Sequence, residues 1–112
     1  MKIYHNPRCS KSREALSILQ DQNTDFEIVE YLQHTPTEDE LKELLRKLDK
    51  KPKEIIRKGE AIFKEKYQGK SFSDAEWIQI MVENPKLIER PIVVRGDKAV
   101  LGRPPENVLK LF

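Results

Sequence analysis

The one cysteine in the chain, Cys9, lies in the stretch His5-Asn6-Pro7-Arg8-Cys9-Ser10-Lys11-Ser12-Arg13. A thiol with a pKa of about 8.5 is mostly protonated at neutral pH, and the thiolate is the nucleophile. Two local features predict a depressed value here. A helix that starts near Ser10 turns its unpaired N–H groups and the positive end of its dipole toward the sulfur. Arg8, Lys11, Arg13 and His5 add positive potential, so residues 9–13 form a cationic cup that also suits a tetrahedral oxyanion. Free cysteine is among the most buried residue types. A turn before Cys9 and a charged helix start after it nevertheless argue against an apolar burial, and a reactive thiol is expected.

Ser12 lies three positions on, giving Cys-x-x-Ser. A second cysteine at that position would let the chain close its own disulfide, which serine cannot do. If Cys9 is oxidised in turnover, the resolving thiol comes from outside, with glutathione followed by a reductant protein as the expected source. The Ser12 hydroxyl either donates a hydrogen bond to the thiolate or supplies the ordinary polarity of a first helical turn. Both readings stay open at this point.

Composition narrows the classes. The 112 residues suit one domain with a modest core, and 21 basic against 19 acidic side chains leave a formal net charge of +2. So small a balance does not point to nucleic acid or a membrane surface as partner. One cysteine excludes an intramolecular disulfide. Neither an apolar leader nor a run of ~18 apolar residues is present, so a cytoplasmic location is expected, where a lone thiol stays reduced.

The elements that must position Cys9 read as follows. "KIYH" is a short β-prone run ended by Asn6-Pro7, and a helix capped by Cys9 or Ser10 follows, with Ala15, Leu16, Ile18 and Leu19 on its apolar stripe. "DFEIVEYL" reads as a second strand, and strand–helix–strand implies a βαβ unit with parallel strands. Thr37 and Glu40 spell a capping box before Leu41, Leu44, Leu45 and Leu48; Ser73 and Glu76 spell another before Trp77, Ile78, Ile80 and Met81. Short helices are expected after Pro52 and over 60–67. "PIVV" and "AVLG" across Gly96-Asp97 predict a hairpin, and Pro104-Pro105 opens a last helix. The order is βαβ, a helical block, then ββα. The prediction is one α/β domain over 1–112 of thioredoxin-like class: a mixed four-stranded sheet with a helical insertion at about 36–87.

These residues closely resemble a known family. "HNPRCSKSR", "IIRKGE", "LIERPIVV" and "LGRPPENVL" match, in order, the motifs of the glutaredoxin-coupled arsenate reductases, and the "GRPPE" spelling resembles a shorter subgroup. The resemblance implies that Cys9 attacks the arsenic of arsenate, with His5 and Ser12 helping to hold the thiolate and Asn6 and Arg13 supporting the loop. It implies an oxyanion-binding triad of Arg57, Arg90 and Arg103, and guanidinium groups suit that task because they bind bidentately and keep their charge. It also implies a cis peptide before Pro91, against the usual trans preference of X–Pro bonds. Glutathione would act as co-substrate and glutaredoxin as partner, with no metal and no bound organic cofactor. Two other functions compete: a transcriptional regulator like the Spx-type relatives, and a glutathione-linked thiol oxidoreductase that does not act on arsenate. The Spx-type redox switch uses a Cys-x-x-Cys pair, which Ser12 removes.

Overall fold

Strand β1 (Lys2–His5) ends where Asn6 and Pro7 turn the chain, and helix α1 (Ser10–Asp21) begins directly after Cys9. The computed structural model describes all residues, Met1–Phe112. Strand β2 (Glu27–Glu30) runs parallel to β1, with Ile3 opposite Ile28 and His5 opposite Glu30. Strand β3 (Ile92–Arg95) is antiparallel to β1, and β4 (Lys98–Leu101) is antiparallel to β3, so the sheet order is β2-β1-β3-β4. The hairpin turns at Gly96, whose φ of 59° is the left-handed conformation that glycine adopts at no steric cost. This is the mixed thioredoxin-like sheet that the order of elements predicts.

The chain divides into two compact units, one made of Met1–Thr35 with Arg90–Phe112 and the other of Pro36–Glu89. In the first, Ile3, Ala15, Leu19, Val93 and Val108 form the buried cluster beneath the sheet. Backbone and side chain meet closely at Gly102: a Cβ there would lie 2.7 Å from Cγ of Pro91 and 3.3 Å from Cβ of Ala15. The Gly102 N–H donates to the Pro91 carbonyl at 2.9 Å, so glycine is what lets the two segments touch.

Two elements of this unit differ from expectation. The strand predicted over "DFEIVEYL" is only four residues long. Beyond it, the N–H groups of Gln33 and His34 both donate to the Glu30 carbonyl, which turns the chain and buries Tyr31 at 1% exposure. The closing segment, Pro105–Leu111, is a 3-10 helix rather than an α-helix. Two prolines remove N–H donors at its start, and the Asn107 side chain donates to the carbonyls of Leu101 and Arg103.

In the second unit both capping boxes form. Thr37 caps α2 (Glu38–Leu48) and Ser73 caps α4 (Asp74–Glu83), each receiving the N–H three residues on. Leu41, Leu44, Leu45 and Leu48 are buried on one face of α2, which packs against α4. The expected short helices are a 3-10 turn at Pro52–Ile55 and α3 (Ala61–Lys66). Trp77 is buried among Phe63, Tyr67 and Phe72. No helix of the chain is long and apolar enough to cross a membrane.

Candidate active site

The Cys9 loop is folded by its own short-range hydrogen bonds. Asn6 accepts the Arg8 N–H on Oδ1 at 3.0 Å and the Cys9 N–H on its carbonyl at 3.0 Å, a local side-chain-to-backbone turn for which asparagine is well suited. Cys9 emerges from this turn as the residue that precedes α1, in extended conformation. Its sulfur is therefore presented to the first amides of the helix.

The thiol is more enclosed than the charged sequence around it suggests, with only 9% of the residue exposed. The expectation was against an apolar burial, and the surroundings of the sulfur are mixed. The enclosure is polar as well as apolar, because Arg103 Nη2 donates to Cys9 Sγ at 3.5 Å and Arg90 also acts on the sulfur. Burial is the largest influence on the thiol and pushes its pKa up. The Ser12 amide, the Arg90 guanidinium and the Lys11 amide together outweigh it and hold the pKa below the ordinary value. The residues that were expected to form a cationic cup contribute otherwise. Arg8, Lys11 and Arg13 are exposed; Lys11 pairs with Glu14, and Arg13 donates to the Pro7 carbonyl. The cations at the sulfur come from the far end of the chain instead.

Those two arginines brace each other. Arg103 Nε donates to the Arg90 carbonyl at 2.7 Å, and the Arg103 carbonyl is held by Asn107. Burial works against the Arg90 cation, but Cys9 and Tyr31 favour it and raise its pKa above the ordinary value. Tyr31 was not singled out in the sequence, where it read as one position of a strand; only its burial beside Arg90 reveals the contact. The peptide before Pro91 is cis, as the resemblance implies, and so is the one between Arg103 and Pro104.

The side chains of His5 and Ser12 come together away from the sulfur, which Ser12 reaches through its amide instead. The Ser12 Oγ accepts the Asn6 N–H at 3.1 Å and lies 2.6 Å from His5 Nδ1, with both side chains buried. The serine hydroxyl thus ties the loop to the strand. Burial, the largest influence, lowers the His5 pKa; Glu30 opposes it and Arg13 assists. Arg57 lies in the second unit, where Glu89 and Glu60 hold its guanidinium at 2.6 and 3.4 Å. Nowhere do three His, Cys, Asp or Glu side chains cluster as a metal would require.

A thiol of depressed pKa absorbs as thiolate at lower pH. The near-ultraviolet thiolate absorbance of the protein, with that of Cys9→Ser subtracted, should rise through a midpoint below about 8.5. A midpoint at or above that value would contradict the balance of influences described above.

Residues 4–111 match the model of the ArsC family. The chain belongs to that family. An arsenate reductase of Haemophilus influenzae is 40% identical over 98% of this chain and 97% of its own length. An arsenate reductase of Escherichia coli K12 is 36% identical over 98% of this chain and 79% of its own length. The structure of an arsenate reductase from Vibrio cholerae superposes with a TM-score of 0.94 at 44% identity, covering 100% of this chain and 98% of that one. The ArsC family thus accounts for the chain from its first strand to its closing helix.

Proposed function

We propose that this protein reduces arsenate to arsenite through the Cys9 thiolate, with glutathione as co-substrate and glutaredoxin restoring the thiol. The observation that carries this reading is the Arg103 guanidinium at 3.5 Å from the Cys9 sulfur, in a chain of the ArsC family. A thiolate lying beside a permanent cation is activated and has an anion-binding group next to it.

The Cys9 sulfur attacks arsenic(V), forming a sulfur–arsenic bond while an arsenate oxygen leaves as water. Arg90 and Arg103 hold the remaining oxygens. A glutathione thiolate then attacks Cys9 Sγ. A disulfide forms, the sulfur–arsenic bond breaks, and its electron pair stays on arsenic, which leaves as arsenic(III). Each sulfur has supplied one of the two electrons. Glutaredoxin attacks the glutathione sulfur and releases Cys9 as thiolate. The family resemblance makes Arg57 the third oxyanion ligand; in this role it has to exchange Glu60 and Glu89 for substrate.

The test is NADPH consumption in the presence of glutathione, glutaredoxin and glutathione reductase. Arsenate should accelerate it with the wild-type protein, and the acceleration should vanish in Cys9→Ser. Cys9 that becomes glutathionylated while arsenate stays untouched would replace this reading with that of a thiol oxidoreductase.

A further inference from the structure

Beside the Cys9 loop lies a cavity of about 160 Å³, built entirely from the first unit and walled by His5, Arg8, Glu30, Leu32 and Gln33 among others. At ~30 Å³ per water in the liquid, that is room for a small polar head of roughly half a dozen heavy atoms. His5 is held by Ser12 and feels the charge of Glu30. Glu30 is half-buried and forms no ion pair, and the Arg8 guanidinium and Gln33 amide have no side-chain partner. His5 and Glu30 sit opposite each other on adjacent parallel strands, which puts both side chains on one face of the sheet. No hydrogen bond joins them.

Ser12 Oγ accepts the Asn6 N–H and lies against His5 Nδ1, so one ring nitrogen of His5 is taken up by the Cys9 loop. The residues of the wall include one carboxylate, one guanidinium, one imidazole and one amide on a lining that is otherwise mostly apolar, Leu32 among it. Glu30 and Arg8 complement a zwitterion, with an ammonium on the carboxylate and a carboxylate on the guanidinium.

We infer that this cavity is the subsite for the γ-glutamyl α-amino-acid head of glutathione. The inference rests on the proposed use of glutathione as co-substrate and assigns it a place. Arg8, on the cavity wall, is the chain neighbour of Cys9, and consecutive Cα atoms are about 3.8 Å apart. The γ-glutamyl–cysteinyl arm is about two residues long, and the proposal requires it to carry the thiol from a head seated here to the Cys9 sulfur.

The experiment avoids arsenic. The full-length protein is converted to its Cys9–thionitrobenzoate disulfide, and each thiol displaces the coloured thionitrobenzoate by attacking Cys9 Sγ. Glutathione is compared with cysteinylglycine, which lacks the γ-glutamyl head. Both rates are normalised to attack on the free aromatic disulfide, which cancels differences in thiol reactivity. The normalised preference for glutathione should be about tenfold in the wild type, the gain of roughly one charge-assisted contact. It should collapse toward unity in Glu30→Gln, which removes the ammonium partner, and in Leu32→Trp, which fills the cavity from an exposed position. A wild-type ratio near one, or a preference that survives both substitutions, overturns the subsite. Retained preference in a protein that does not turn over arsenate would sink the proposed reaction and leave the subsite standing.

Discussion

Arsenate kcat/KM should fall about 10²–10³-fold in Arg103→Ala, the range seen when one preorganised oxyanion donor is removed. The side chain has two attachments, Nη2 on the Cys9 sulfur and Nε on the Arg90 carbonyl, so its loss acts twice. The thiolate loses a permanent cation, and the segment that carries Arg90 loses its brace. The thiolate absorbance midpoint should therefore move to higher pH in the same variant. Arg103→Lys should recover only part of the rate, because an ammonium carries the charge without the planar fork that serves two acceptors at once. Steady-state arsenate kinetics decide the matter: a change below about threefold in Arg103→Ala would remove this residue from the oxyanion site.

The second large effect is on stability. Ser12 is fully buried, and its hydroxyl serves both His5 Nδ1 and the Asn6 N–H. Ser12→Ala leaves two buried polar groups without a partner, at about 1–3 kcal/mol each, so a loss of about 2–6 kcal/mol is expected in urea unfolding at neutral pH. A loss below about 0.5 kcal/mol would show that the pair contributes little. Acid acts on the same spot. The folded-state pKa of His5 is depressed, so the unfolded chain takes up the proton first. The stability contributed by the neutral ring is complete above about pH 6.5 and is lost as pH falls through the lower folded-state value. A protonated Nδ1 would also have to donate, which forces the serine proton to leave it.

The parts of this molecule set by neighbours in sequence were legible from the sequence. Thr37 with Glu40 and Ser73 with Glu76 announce their helices because a capping box closes within one turn. Gly96 announces the hairpin because a tight turn asks for a positive φ. The family motifs pointed to Cys9, Arg90 and Arg103, but spacing could not say which cations touch the sulfur. Arg8 and Lys11 are near in sequence and exposed in space, whereas Arg103 reaches Cys9 through the register of β1, β3 and β4. Ser12 meets the thiolate through its amide, whereas its hydroxyl serves whichever partners packing brings closest, and here those are His5 and Asn6. The end of β2 was overrun because a strand pattern continues through Tyr31, while the turn is made by two backbone N–H groups on one carbonyl. Such a bond leaves no mark on residue type.

Gly102 touches the Pro91 ring, and the residues next to that contact in the chain are Arg90 and Arg103. The spacing of the two backbone segments that carry those guanidinium groups is therefore set by main chain resting on a ring. It depends on a hydrogen atom, the one glycine carries where any other residue would carry carbon.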